Sequence, residues 1–313
     1  MRMRLIRSSR LLAKLLLLPA AILCAILPIM LPAQQLPAAL TTDPTPDHAN
    51  PAAIETFQLP SHGALLNALV YIAQGPGPHP TVLLLHGFPG NERNLDLAQT
   101  LRRAGYNVLY FNYRGAWGSP GDFSFTHAIE DTQAALAYLR DPANARRLRA
   151  DPANLILIGH SMGGFLARYT AAQDPAIRAV VLISAAPMAV DTVESLPPAR
   201  RHLAVQPIAA GFAAEGLSPL AGCTAQSLAE EVLANADAWN IPNLAPRLTT
   251  RPMLVLTSDD GLTPSNDAFV AALQHAGGTR ATTLHLPTDH SYSDHRIALQ
   301  LAVLNFLAAL PPH

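Results

Sequence analysis

Four short, almost unbroken apolar runs constrain this chain more than any other feature: VLLL (82–85), NLILIG (154–159), AVVLIS (179–184) and MLVL (253–256). A strand with one wet face alternates apolar and polar residues. A run that is apolar at nearly every position suits a strand buried on both faces, as in a parallel sheet with helices above and below. Longer amphipathic stretches separate the runs, and that alternation predicts an α/β, doubly wound, mostly parallel sheet of about eight strands. The predicted strands are Ile54–Leu59, Ala64–Ala73, Thr81–Leu85, Asn107–Tyr113, Leu155–Ile158, Ala179–Ser184, Met253–Thr257 and Thr282–Leu286. The predicted helices are Leu95–Ala104, Ala128–Leu139, Met162–Gln173, Ser265–His275 and Arg296–Leu310. No internal repeat is visible.

One stretch departs from the alternation. Residues 187–251 have helical but no strand character, with Pro197-Pro198 breaking them early and a short helix predicted at Ser227–Ala236. An insertion of that size between two sheet strands is either a cap over a site or a peripheral embellishment.

Charge divides the chain into two parts. The total of −1 offers no basic field of the kind that neutralises nucleic-acid phosphates. Residues 1–33 hold five cations (Arg2, Arg4, Arg7, Arg10, Lys14) and no acid, while the remainder carries 16 Arg against 22 Asp+Glu. A basic start, an apolar stretch from Leu15 to Leu31 and a small residue at Ala33 read as a secretory signal. The rival reading is an uncleaved membrane anchor, since the 19 residues from Leu15 to Ala33 are long enough to span a bilayer. Both readings export the domain, and membrane contact is expected only through residues 15–33. Residues 34–52 are Pro-, Ala- and Thr-rich and read as a linker to a domain at 53–313. Cys223 is alone in that domain, so no intrachain disulfide is expected there.

The chemistry begins at Gly159-His160-Ser161-Met162-Gly163, a G-x-S-x-G pattern between an apolar strand and a helix. A nucleophile in so sharp a turn leaves no room for side chains two residues to either side, which calls for Gly159 and Gly163. The competing reading is an ordinary strand-to-helix turn with serine as N-cap. A serine hydroxyl needs a base, and the base needs an orienting acid. Both types follow later strands: Asp259 and Asp260 after Met253–Thr257, and Asp289 and His290 after the last strand.

With HGFPG (86–90), YRGAWGSPG (113–121), GHSMGG (159–164), DDGLTP (259–264) and DHS (289–291), the chain resembles the α/β-hydrolase superfamily from about residue 54 onward. The resemblance implies Ser161, Asp260 and His290 as the catalytic residues. Asp260 is preferred to Asp259 because a proline, Pro264, stands four residues after it. It implies His295, five residues after His290, as a decoy on the final helix and Asp289 as a shaper of its loop. It also implies oxyanion donors in the backbone amides of Phe88 and Met162, with His86 and Gly87 supporting that loop. Tyr113 and Trp117 are expected either to line an acyl pocket or to pack their loop onto the cap. No nucleotide or metal motif is present, so no cofactor is expected. The expected partner is a small acyl substrate; the sequence gives no oligomeric state.

The leading function is hydrolysis of carboxylic ester-type acyl bonds through an acyl-enzyme on Ser161. The alternative is a serine aminopeptidase similar to the proline iminopeptidases, with Glu230 and Glu231 as candidate acids for a substrate amino terminus; HGFPG departs from the HGGPG form of that loop. A third, non-enzymatic reading is an idle scaffold used for binding.

Overall fold

The computed structural model describes residues 36–188 and 196–311. The leader proposed at 1–33 lies outside them. Among the described residues, no helix is long and apolar enough to cross a membrane. The described part of the stretch read as a linker holds one helical turn, α1 (Ala38–Thr41), and lies against the body. There Arg103 Nε donates to the Ala39 carbonyl at 2.7 Å and Gln74 Nε2 to the Thr45 carbonyl at 2.9 Å.

The sheet has eight strands: β1 (Ala53–Ser61), β2 (Ala64–Ile72), β3 (His79–Leu85), β4 (Asn107–Phe111), β5 (Ala150–His160), β6 (Ala179–Ile183), β7 (Met253–Thr257) and β8 (Ala281–His285). Their order is β1-β2-β4-β3-β5-β6-β7-β8. β2 runs antiparallel to both neighbours, and the pairs from β4 to β8 are parallel. The apolar runs are buried on both faces for the reason the sequence suggests. Leu83, Leu85, Leu157, Leu182 and Val255 point into one core, while Val82, Leu84, Ile158, Val181 and Leu256 point into the other. The second core is closed by α2 (Leu95–Arg103) and α9 (Arg296–Ala308) through Leu97, Leu101, Leu299 and Val303. The first is closed by α3 (Phe125–Arg140), α5 (Met162–Gln173) and α8 (Thr263–His275).

The sequence reading omits α4 (Pro142–Leu148). Seven residues are too few to show a 3.6-residue period, although Asp141 caps it and Pro142 sits where a missing N–H does no harm. Between β6 and β7 the insertion contains a 3-10 segment (Pro198–Ala204), α6 (Val205–Glu215), α7 (Ala225–Ala234) and a second 3-10 segment (Ile241–Arg247). Thr224 and Ser227 close a capping box at the start of α7.

Candidate active site

The chain leaves β3 for β4 on one side and returns to β5 on the other, so β3 and β5 flank the point where strand order reverses. Crevices at such points, beyond the carboxyl ends of the strands, are where open α/β sheets bind ligands. Leu85 and Gly159 are register partners. The segments that follow, 86–90 and 160–164, therefore leave the sheet side by side.

Ser161 sits in the turn between β5 and α5 with φ +54° and ψ −121°. That region costs a non-glycine residue about 1–3 kcal/mol. Hydrogen bonds hold it there: the Ser161 amide donates to Ile183 O at 2.9 Å, and its carbonyl accepts from Gly164 and Ala186, each at 2.9 Å. The flanking glycines are sterically required. A Cβ on Gly159 would lie 2.0 Å from the Gly163 carbonyl oxygen, and one on Gly163 would lie 2.1 Å from that of Leu85. On Gly87 it would meet the Ser161 Cβ at 2.8 Å, so the β3 loop touches the serine only because residue 87 lacks a side chain.

Phe88 and Met162 follow Gly87 and Ser161 on these adjacent segments. Among the described residues neither backbone amide donates to a protein acceptor. His86 is buried beneath the loop; its Nδ1 donates to Gly87 O at 2.8 Å, and burial pushes its pKa down to about 4, so it is neutral. Tyr113 and Trp117 do not line the cavity beside Ser161, which corrects the pocket expectation. The fully buried Tyr113 donates its hydroxyl to His86 O at 3.0 Å, and Trp117 Nε1 donates to Pro89 O at 2.7 Å. Their loop also pairs with the insertion: the Trp117 amide donates to Pro219 O at 2.9 Å and the Ala221 amide to Gly115 O at 2.7 Å. The physical reason is that each side chain donates its one polar hydrogen to a backbone carbonyl of the β3 loop.

Asp260 follows β7 and His290 follows β8. His290 Nδ1 donates to Asp260 Oδ2 at 2.7 Å. Asp259 points elsewhere, pairing with His285 Nε2 at 3.1 Å; its side chain is 64% exposed, against 4% for Asp260. Burial alone would raise the Asp260 pKa. Hydrogen bonds from His290 and the Leu262 amide, with the Ser184 and Ser258 hydroxyls close by, outweigh it and hold the carboxyl well below the usual range. Ser184 and Ser258 also bond each other at 3.0 Å, and Ser184 bonds the Tyr292 hydroxyl at 3.0 Å. None of these three hydroxyls is evident from the motifs. The available signal for the two serines is position, each being the first residue after a parallel strand. His295 pairs on the surface with Asp294 at 2.9 Å. Asp289 accepts from the Ser293 amide at 2.8 Å, within its own loop.

Ser161, His290 and Asp260 line one cavity of about 530 Å³, together with Phe88, Met162, Phe125, Met188, Leu262 and, from α6, Ile208, Phe212 and Glu215. The insertion thus supplies part of the cavity wall. The ring of Phe88 lies 5.7 Å from that of Phe125 and 5.3 Å from that of Phe212. Glu230 and Glu231 are absent from the wall. Glu231 accepts from the Phe125 and Thr126 amides at 3.0 and 2.8 Å, and Glu230 accepts from Gln226 at 2.8 Å. Cys223, half-buried, is also absent from the wall, and burial pushes its thiol pKa up.

Residues 80–253 match the family model described as alpha/beta hydrolase fold. The chain belongs to this family. Curated relatives include "Uncharacterized protein YfhR" of Escherichia coli O157:H7, 35% identical over 107 residues (33% of this chain, 36% of that protein). "Uncharacterized protein Rv2307c" of Mycobacterium tuberculosis (strain ATCC 25618 / H37Rv) is 34% identical over 100 residues (32% of this chain, 34% of that protein). The chain spans about a third of the length of these curated relatives. Among solved structures with the same α/β-hydrolase fold is EstE1, a thermophilic carboxylesterase cloned from a metagenomic library. It aligns with TM-score 0.60 and 22% identity over 84% of this chain and 91% of its own. Est1E from Butyrivibrio proteoclasticus, solved with ferulic acid bound, aligns with TM-score 0.60 and 18% identity over 81% of this chain and 98% of its own.

Proposed function

We propose that this protein is a serine hydrolase of carboxylic ester-type acyl bonds. The observation that carries the reading is the 2.7 Å bond from His290 to Asp260 in the cavity that also holds Ser161 at a strained turn. With Nδ1 engaged by Asp260, His290 presents the lone pair of Nε2 as the base. Ser161 attacks the acyl carbon, and His290 takes its proton and returns it to the leaving alcohol. The Asp260 carboxylate stabilises the imidazolium that forms between those steps. The Phe88 and Met162 amides receive the oxyanion. Water then repeats the sequence on the acyl-enzyme and releases the acid.

The wall of Phe88, Phe125, Phe212, Met188 and Ile208 supports an apolar acyl group, and the carboxylesterase neighbours share the fold that presents it. The aminopeptidase reading loses the acids that motivated it, because Glu231 is spent on the start of α3 and Glu230 on Gln226. The purified protein is expected to hydrolyse short p-nitrophenyl esters faster than aminoacyl-naphthylamides, and Ser161→Ala to abolish both. Turnover that survives Ser161→Ala would remove this residue from the mechanism.

A further inference from the structure

His160, the last residue of β5 and the immediate neighbour of Ser161, is engaged by none of the steps above, yet it is almost wholly buried against the base. Its side-chain Nε2 lies 2.8 Å from the backbone carbonyl oxygen of His290. A carbonyl only accepts, so Nε2 carries the proton and donates. The two imidazole rings lie 4.6 Å apart between centroids, tilted by 45°. His160 is 3% exposed, and its Nδ1 is buried with no partner among the described residues.

We infer that His160 is a positioning residue for His290. One side chain, adjacent in sequence to the nucleophile, fixes the main chain of the residue that acts as its base. This rests on the serine hydrolase reading and adds a residue to it.

The argument is geometric first. His290 rides on the loop between β8 and α9, and its side chain is tied to Asp260 on a different loop. The side-chain bond fixes ring orientation but leaves the main chain of residue 290 to the loop. His160 extends from β5, an interior strand of the sheet, so its bond refers residue 290 to the same strand end that carries Ser161. Sites held by rigid elements keep reacting groups in register, and a displacement of about 1 Å can slow a reaction on the order of 10²-fold.

The protonation state fits the role. Burial, then the neighbouring His290, pushes the His160 pKa down to about 4. A neutral ring does not oppose the positive charge that forms on His290 during the reaction, whereas a lysine or arginine in its place would. The orphaned Nδ1 has a cost, since a buried polar atom without a partner gives up its hydration for nothing in return. The arrangement keeps an imidazole where an apolar residue would fill the space without that loss, which argues that the Nε2 donor is what the position needs.

The test compares the wild type, Ser161→Ala, His160→Gln and His160→Leu with a short p-nitrophenyl ester across pH 5–9, alongside thermal melting. Gln keeps a donor; Leu keeps bulk alone. His160→Leu is expected to lower kcat about tenfold or more with KM within about twofold, and to shift the acid limb of the pH–rate profile. His160→Gln is expected to recover most of kcat and to return that limb. Wild-type kcat and an unshifted limb in His160→Leu would overturn the inference, as would equal losses in the Gln and Leu variants. Nitrogen-15 NMR of the wild type supplies a readout that needs no variant to fold. His160 should be the Nε2–H tautomer and remain neutral at pH 5.5; an Nδ1–H tautomer, or protonation near pH 6.5, would overturn it. Absence of ester turnover in the wild type overturns the hydrolase reading instead, and is separable from every outcome above.

Discussion

Two adjacent aspartates, Asp259 and Asp260, have the same side chain and opposite surroundings. Asp260 is enclosed, accepts from His290 and from the Leu262 amide and is held ionised; Asp259 sits in solvent with His285. Exposed pairs of the second kind contribute about 0–1 kcal/mol. Asp260→Asn keeps the shape of the first pair but offers an amide where, in the proposed mechanism, a carboxylate orients and stabilises the imidazolium, and kcat is expected to fall on the order of 10⁴-fold. Asp259→Asn should leave kcat unchanged. Steady-state ester kinetics on the two variants decide the matter, and comparable losses in both would move the acid away from Asp260. Gly87→Ala belongs to the same scale. Its new Cβ would lie 2.8 Å from the Ser161 Cβ and 3.3 Å from the His160 carbonyl oxygen, so the β3 loop must retreat from the serine. If Phe88 is an oxyanion donor, that retreat should cost about 10²–10³-fold in kcat; wild-type turnover in Gly87→Ala would leave Phe88 without that role.

At the scale of elements, the inserted segment is joined to the sheet domain by groups that also shape the cavity. Glu231 on α7 accepts from the first two amides of α3, Phe125 and Thr126, and Phe125 is a wall residue. An acid there satisfies two amides that have no intrahelical partner and favours the positive end of the helix dipole. Glu231→Ala is therefore expected to cost about 0.5–2 kcal/mol of stability and to raise KM more than it lowers kcat, because it loosens the wall and leaves Ser161 in place. Urea titration with steady-state kinetics checks both, and a fall in kcat alone would contradict the assignment. The same elements explain what was legible beforehand. Strands buried on both faces wrote themselves as apolar runs, and a tight turn wrote itself as glycines, so the sheet and the Ser161 turn were readable. Tyr113 and Trp117 were not, because an aromatic ring reads the same whether it faces a cavity or donates to a carbonyl of the next loop. Glu231 likewise looked like an acid on an outer helix; its partner is a backbone more than a hundred residues away. The hydroxyls of Ser184, Ser258 and Tyr292 meet one another near Asp260 only because β6, β7 and the loop after β8 end together.

For the whole molecule, two of the buried histidines, His86 and His160, couple the site to acid stability. His86 and His160 are each pushed down to about 4, chiefly by burial, whereas in the unfolded chain a histidine titrates near 6.5. Above pH 6.5 both states hold these rings neutral and no difference arises. As pH falls from about 6.5 toward 4, the unfolded chain takes up a proton at each ring that the folded protein refuses, so stability is lost across that window. Each ring contributes on the order of 3 kcal/mol over the full window, which is large against a total of about 5–15 kcal/mol for a typical domain. Asp260 acts in the same direction but lower down. Its carboxyl is depressed on folding, so its contribution is present above its unfolded value, about 3.9, and is lost only below that. Urea midpoints measured from pH 7.5 to 4.5 should therefore hold nearly level down to about pH 6.5 and fall below it. His160→Gln should remove roughly half of that slope, since one of the two rings is gone. Asp260→Asn should leave it unaltered while changing the profile below pH 4. A midpoint that stays flat between pH 7.5 and 4.5 would mean that neither ring is held neutral, and with it would go the account of the loop that His86 supports.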